Sequence, residues 1–286
     1  MFQIFQFGAA VLAQQPYFKK GVAMKYEEYL DSYLKNEKNP EHTSPFLVMG
    51  CMEQYLAAET EEKKKIFLEY LSRLTEKSGI EGKNLFVLYD ATKEELYREK
   101  IEKKMECLRQ CPKNRDGVFC DTNGNMDTKP WDFLYEAYPF YMAYETRFHN
   151  KADYAKFVLQ TRKFEPALIQ TVTWKDVCFL MSLVEVIDGT SKEIFEHYNS
   201  LQEIFKRTVK KIIPPLKSQE VEAKVGLAMG YVIAKACNIK ILNSEKYIQI
   251  GLDLIEAGER AEEKDDEFAG LSMMADSMKR QFTKNE

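Results

Sequence analysis

Apolar residues in this chain recur with the period of an α-helix, and almost nothing in the sequence breaks that period for long. Tyr97, Ile101, Met105 and Leu108 fall on one face of residues 92–111. Phe67, Tyr70, Leu71 and Leu74 do the same within 61–78, and Tyr247, Ile250, Leu254 and Ile255 within 244–258. Residues 191–212 repeat the pattern with Ile194, Tyr198, Leu201, Phe205 and Ile212. The spacing predicts helices near 2–14, 23–36, 45–58, 61–78, 92–111, 131–148, 151–164, 174–188, 191–212, 218–237, 244–258 and 264–282.

Cap residues fit these segments. Ser44 before Pro45 is a helix start with proline at the first helical position. Thr92 with Glu95 and Thr190 with Glu193 have capping-box spacing, and Ser218 and Ser244 are candidate N-caps. Gly79, Gly189 and the Pro214-Pro215 pair read as stops. The one strand-like run, Leu85 to Tyr89, has no partner and reads as irregular or as the lead-in to a helix. With 13 glycines and 9 prolines in 286 residues, the chain lacks the turn residues of a sandwich, a small barrel or a doubly wound sheet. No linker composition interrupts residues 1–286, so the expectation is one all-α domain. About six helical hairpins match an (α/α)6 toroid. An irregular solenoid has the same periodicity, but no fixed repeat is visible.

Charge excludes other classes. A net charge of −4 gives no basic footprint for nucleic acid. No run of about 18 apolar residues exists to span a membrane. The apolar stretch Met1–Gln15 has no preceding Lys or Arg and reads as part of the fold, not as a signal peptide. Cys51, Cys107, Cys111, Cys120, Cys178 and Cys237 are scattered as reduced thiols of a cytoplasmic protein would be. Cys107, Cys111 and Cys120 lack an evident fourth zinc ligand, so neither metal nor cofactor is expected.

Only three histidines occur, His42, His149 and His197, and no phosphate-binding glycine motif, so acid–base chemistry falls to carboxylates. His149 and His197 read as surface residues, and Met273, Met274 and Met278 as packing methionines. The run Glu259 to Glu267 reads as a solvated turn. The exception to short connections is Pro112–Pro130, a long polar loop of the kind that carries function. It leads into Trp131-Asp132, where Asp132 occupies the first turn of a helix and the helix dipole favours its ionised form. Trp131, Tyr135 and Tyr138 put flat aromatic surface around it, suited to sugar rings. Asp132 as a plain helix-start residue among core aromatics is the competing reading.

Asp132-x-Leu134-Tyr135 followed by Ala137-x-Pro139-Phe140-Tyr141 resembles the W-x-D-x-L-Y-M-A-x-P-F signature of unsaturated uronyl hydrolases, glycoside hydrolase families 88 and 105. The unsaturated rhamnogalacturonyl hydrolase branch is the most similar. Arg115-Asp116-Gly117-Val118-Phe119 resembles the loop before that signature, and Tyr231 to Lys235 a later family run. Glu41-His42-Thr43-Ser44-Pro45 resembles the segment that supplies the family's second acid.

The resemblance implies an (α/α)6 barrel that hydrates the C4–C5 double bond of an unsaturated uronic residue in small pectin- or glycosaminoglycan-derived oligosaccharides. Asp132 corresponds to the proton donor and base, and Glu41 to the second acid. Trp131, Tyr135, His42 and Trp174 correspond to substrate contacts, with Lys175 and Arg115 as candidates to meet the uronate carboxylate. A catalytically degenerate sugar-binding barrel and a helical scaffold for protein partners are the two alternative readings.

Overall fold

The computed structural model describes residues 26–35, 43–113, 115, 119, 131–261, 263 and 265–283; over 131–134 it describes the helical backbone alone. The described residues form helices α1 (Tyr26–Lys35), α2 (Pro45–Leu56), α3 (Glu61–Ser78) and α4 (Asn84–Thr92). Then come α5 (Glu95–Gln110), α6 (Trp131–Arg147), α7 (Tyr154–Phe164) and α8 (Trp174–Gly189). The chain finishes with α9 (Phe195–Ser218), α10 (Ala223–Asn238), α11 (Ser244–Glu259) and α12 (Asp266–Thr283). The one β contact among the described residues is an isolated antiparallel bridge between Lys113 and Phe119.

The even-numbered helices form an inner ring. α6 packs on α8, α8 on α10, α10 on α12, α12 on α2 and α2 on α4. The odd-numbered helices clothe this ring, and the whole is an (α/α)6 toroid. Composition explains the division. Inner helices are buried all round: every residue from Val177 to Ile187 in α8 and from Val225 to Cys237 in α10 is buried. Outer helices bury a single stripe, as α5 does with Tyr97, Ile101, Met105 and Leu108. One continuous apolar cluster runs through both rings, and each fully buried Leu, Ile or Phe side chain contributes about 1.5–3 kcal/mol.

Two inner helices touch through their backbones. A Cβ on Gly270 would lie 2.2 Å from the Phe46 carbonyl carbon, and one on Gly50 2.4 Å from the Gly270 carbonyl oxygen. The α2–α12 seam therefore requires glycine on both sides.

Several sequence expectations change. Leu85–Tyr89 lies inside α4, an inner helix. Buried Asn84 starts it by accepting from the Gly82 amide at 2.7 Å and donating to Thr75 Oγ1 at 2.8 Å. Thr92 ends α4 and does not cap α5, whose N-cap is Glu94. Thr190 closes α8, its hydroxyl donating to the Val186 carbonyl. Ser218 is the last residue of α9, and Glu222 holds the N-cap position of α10 without a side-chain cap. Asn243 caps α11 in place of Ser244. Pro214 and Pro215 do not stop α9, which runs three residues further. The carbonyls deprived of an amide partner belong to exposed Lys210 and half-buried Lys211.

Other expectations hold. Ser44 caps α2, and Gly79 closes α3 at φ 66° in the left-handed region. Met273, Met274 and Met278 are core residues, as are Cys51, Cys178 and Cys237. The acidic run after α11 is tethered: Lys224 reaches Asp265 at 2.8 Å and Glu267 at 3.0 Å. The expected helix 2–14 lies outside the described residues. No helix among the described residues is long and apolar enough to cross a membrane.

Candidate active site

The inner helices run parallel, so their N-termini gather at one mouth of the toroid. The Ser44 amide at the start of α2 donates to Asp266 Oδ2 at the start of α12, 2.6 Å away. Phe46 in the first turn of α2 meets Trp174, the first residue of α8, edge-to-face at 5.7 Å. Phe46 also stacks on Tyr135 of α6 at 5.1 Å. Asp132 is the second residue of α6, three positions before Tyr135, so both belong to the same side of the helix at this mouth. Convergent helix N-termini present a positive field there, which favours an anionic ligand.

The mouth has an aromatic floor. Tyr135 is fully buried, and its phenol contacts Met274 Sδ of α12 at 3.9 Å. Burial, then the neighbouring Glu185 and Glu53 carboxylates, push its pKa up, so it stays protonated. In this structure Tyr135 underlies the mouth. Trp174 is half-buried, and Thr173 fixes it by a capping box with Asp176. Lys175 is exposed and lines a cavity of about 570 Å³ with Lys163, Thr171 and Phe179. Glu136, one turn after Asp132, pairs with Lys104 at 2.7 Å, and Glu81 pairs with Lys100 at 3.5 Å.

Below the floor lies a charged network that periodicity does not reveal. Lys235 of α10 is buried and sends its ammonium to Glu53 Oε1 of α2 at 2.8 Å, Glu185 Oε1 of α8 at 2.6 Å and the Tyr231 hydroxyl at 2.9 Å. All three of its N–H donors are used. Tyr231 is itself 3.0 Å from Glu53 Oε1 and in contact with Glu185 Oε1. Lys83, just before α4, adds a second cation, 2.8 Å from Glu185 Oε2. α2 and α8 face each other across the ring, so this network spans its diameter. Burial alone would raise the Glu185 pKa, but Lys235 and then Lys83 hold it well below the ordinary glutamate range. Burial would lower the Lys235 pKa, and Glu185, Glu53 and Asp188 more than reverse that. Each of these helices also carries an unbroken apolar run, and a charge inside such a run is the signal that marks Glu53, Glu185 and Lys235.

Of the sequence-predicted residues, Tyr135 and Trp174 meet through Phe46. Arg115 is exposed, with no described contact to the mouth. Glu41 and His42 lie outside the described residues, as do the side chains of Trp131 and Asp132 and most of the 112–130 loop. Cys107 is exposed and Cys111 half-buried, while Cys120 is outside the described residues. His197 is half-buried against Tyr154.

A cluster with metal-binding residue types lies elsewhere, at Glu145, His149 and Asp153. Its donors are committed internally. Glu145 takes His149 Nδ1 at 2.8 Å and the Asp153 amide at 3.0 Å. Asp153 takes Tyr141 and Lys156, each at 2.5 Å. The cluster staples the turn from α6 to α7.

A helical toroid of this kind is the (α/α)6 barrel found among glycoside hydrolases. Residues 17–173, more than half of the chain, match the model of Glycosyl Hydrolase Family 88, and the chain belongs to that family. Similar solved structures bear out the fold. A family 105 glycoside hydrolase from C. acetobutylicum matches with TM-score 0.69 and 12% identity, over 91% of this chain and 100% of that one. A possible family 105 member from Klebsiella pneumoniae matches with TM-score 0.67 and 10% identity, over 99% of this chain and 100% of that one. A third, from Salmonella enterica, has TM-score 0.63 and 10% identity, over 98% of this chain and 100% of that one. No curated protein matches the sequence.

Proposed function

We propose that the chain hydrates the C4–C5 double bond of an unsaturated uronic acid residue at the end of a pectin- or glycosaminoglycan-derived oligosaccharide. The observation that carries this reading is the position of Asp132. It opens inner helix α6, at the mouth where Phe46, Tyr135 and Trp174 assemble an aromatic floor. Convergent helix N-termini suit the uronate carboxylate. Lys175 stands at the start of the neighbouring inner helix α8 to meet it.

In this reading Asp132 gives its proton to the enol-ether carbon C4, and water adds at C5. The aspartate then takes a proton from that water, so the carboxyl is restored. The resulting hemiketal opens, and the C1 linkage to the next sugar is lost. No covalent glycosyl-enzyme forms, in contrast to retaining glycosidases. Glu41 is the proposed second acid, with His42, Trp131 and Arg115 as further substrate contacts. The site is proposed to need neither metal nor cofactor, and the 1–286 chain to act as one domain in the cytoplasm.

Turnover is read as loss of the ultraviolet absorbance of the conjugated enol-ether carboxylate, across a panel of unsaturated disaccharides. Asp132→Asn is expected to cut kcat by about 10²- to 10⁴-fold while leaving folding intact. No turnover on any member of the panel by the unaltered protein would sink the reading.

One observation favours a second reading, a sugar-binding barrel without catalysis. Glu136, one turn after Asp132 in α6, is committed to Lys104 at 2.7 Å and so is not placed as a second acid for the reaction. Saturable binding of the same disaccharides without loss of absorbance would select it.

A further inference from the structure

The opposite mouth of the toroid holds a cavity that the proposed reaction does not use. Its volume is about 650 Å³, within the range of small-molecule sites. Its wall is made by the last turns of four inner helices: Tyr55 and Leu56 of α2, Asp90 and Ala91 of α4, Thr146 and Arg147 of α6, and Asp188 of α8.

The formal charges of this wall balance, and the helix ends tip it towards negative. Lys83 and Arg147 bring two cations to the lining, and Asp90 and Asp188 two anions. Directly behind it, Lys235 faces both Glu53 and Glu185. Lys93, 4.0 Å from Asp90 Oδ1, brings the count to four cations against four carboxylates. The ends of four helix dipoles add partial negative charge from the same side.

The cations are committed while the carboxylates have capacity left. Lys83 lies between Glu185 at 2.8 Å and Asp188 at 3.4 Å. Arg147 is bound to Asp90 Oδ2 at 2.8 Å and lies over the Phe86 ring, 5.2 Å from its centre. By contrast, among the described residues Asp90 Oδ1 meets only Lys93, at 4.0 Å. Asp188 is met among them through Oδ2, by Lys83 at 3.4 Å and Lys235 at 3.6 Å. Two carboxylates, on the inner helices α4 and α8 that flank α6, thus keep acceptor positions, and half-buried Tyr55 adds aromatic surface between apolar Leu56 and Val87. An ammonium group is satisfied by that combination of carboxylates and an aromatic face.

We infer that this cavity is a second ligand site, selective for a small organic cation of about monosaccharide size. The inference goes beyond the proposed hydration reaction and holds whether or not Asp132 is catalytic.

The test is calorimetric titration of the full chain, at slightly acidic pH, with three sugars of one shape and different charge: protonated glucosamine, glucose and glucuronate. Ethanolamine serves as the smallest amine. Saturable binding of glucosamine is expected, at least tenfold tighter than glucose and weakened by added salt. Asp90→Asn combined with Asp188→Asn should weaken it at least tenfold. Ala91→Trp, at the exposed rim, should abolish it by filling the cavity without touching the core. Circular dichroism of each variant establishes that it is folded. Glucose binding as tightly as glucosamine, preference for glucuronate, or no saturable heat from either amine would overturn the inference. Glucosamine binding that survives Ala91→Trp would also overturn it. Disaccharide turnover, measured in parallel, is unaffected by these variants if the two mouths are independent.

Discussion

The inner and outer rings of this toroid handle charge in opposite ways. Outer helices spread ion pairs over the surface, such as Arg260–Glu256 at 3.8 Å and Arg73–Glu69 at 3.9 Å, with both partners largely in water. The inner ring carries few charges, and it concentrates them at the centre, where Lys235, Glu53 and Glu185 are removed from solvent. A surface pair gains little because water screens it. A central pair is bound to all its partners at once, since desolvation penalises any group left alone. Outer pairs are therefore dispensable one by one, whereas the inner network stands or falls as a unit.

The sharpest way to break this comparison is Lys235→Met. It leaves Glu53 without its cation and Glu185 with Lys83 alone, and a loss of about 3–5 kcal/mol is expected in the stability read from urea unfolding. The acid limb should change as well. In the unaltered protein Glu185 is ionised with a depressed pKa, so its contribution is present above the unfolded glutamate pKa of about 4.3 and is lost as pH falls below it. In Lys235→Met the largest cause of that depression is gone and Lys83 alone holds Glu185 ionised, so less stability should be lost as pH falls through the same range. An unchanged midpoint with an unchanged acid limb would mean that the network carries no unit behaviour.

Backbone contact gives a smaller test of the same contrast. Gly270→Ala forces a methyl group into the α2 backbone and should cost about 2–3 kcal/mol. Gly79→Ala, at the end of outer helix α3, meets nothing within 4 Å and carries only the strain of its positive φ. It should cost about 1 kcal/mol. Equal losses at the two sites would remove the distinction between the rings. At the low end, Arg260→Ala should stay within about 0.5 kcal/mol, and a larger shift would show that the outer pairs are also coupled.

The same contrast explains how far the sequence could be read. Outer helices such as α3 and α5 announce themselves, because one face is wet and the apolar residues fall at helical spacing. Inner helices lack that alternation. Most are long enough to be recognised by length, but α4 has nine residues, and its Leu85–Tyr89 run is indistinguishable by pattern from a buried strand. Cap residues misled for a related reason. Thr190 and Ser218 have N-cap chemistry, yet a hydroxyl also donates to a carbonyl one turn back, and both residues do so at helix ends.

The candidate site was legible where chemistry follows chain order. The polar loop before Asp132 and the aromatic residues after it are adjacent in sequence. Phe46, which joins Tyr135 to Trp174, lies more than 80 residues from either along the chain. Glu53, Glu185 and Lys235 likewise come from three separate helices, with Glu53 and Lys235 182 positions apart. No local spacing connects them, and only closure of the ring does.

That closure has a consequence for traffic. Phe46, Tyr135 and Met274 occupy the middle of the ring from α2, α6 and α12, and the Glu53–Tyr231–Glu185 bridge crosses beneath them. Among the described residues the toroid is therefore a stoppered cup, without a through-passage. A guest that enters past Trp174 must back out by the same route. A long polymer has no exit to thread through and can offer only its tip. Departure of one guest must precede arrival of the next, so whatever is left in the cup after an event competes directly with its successor.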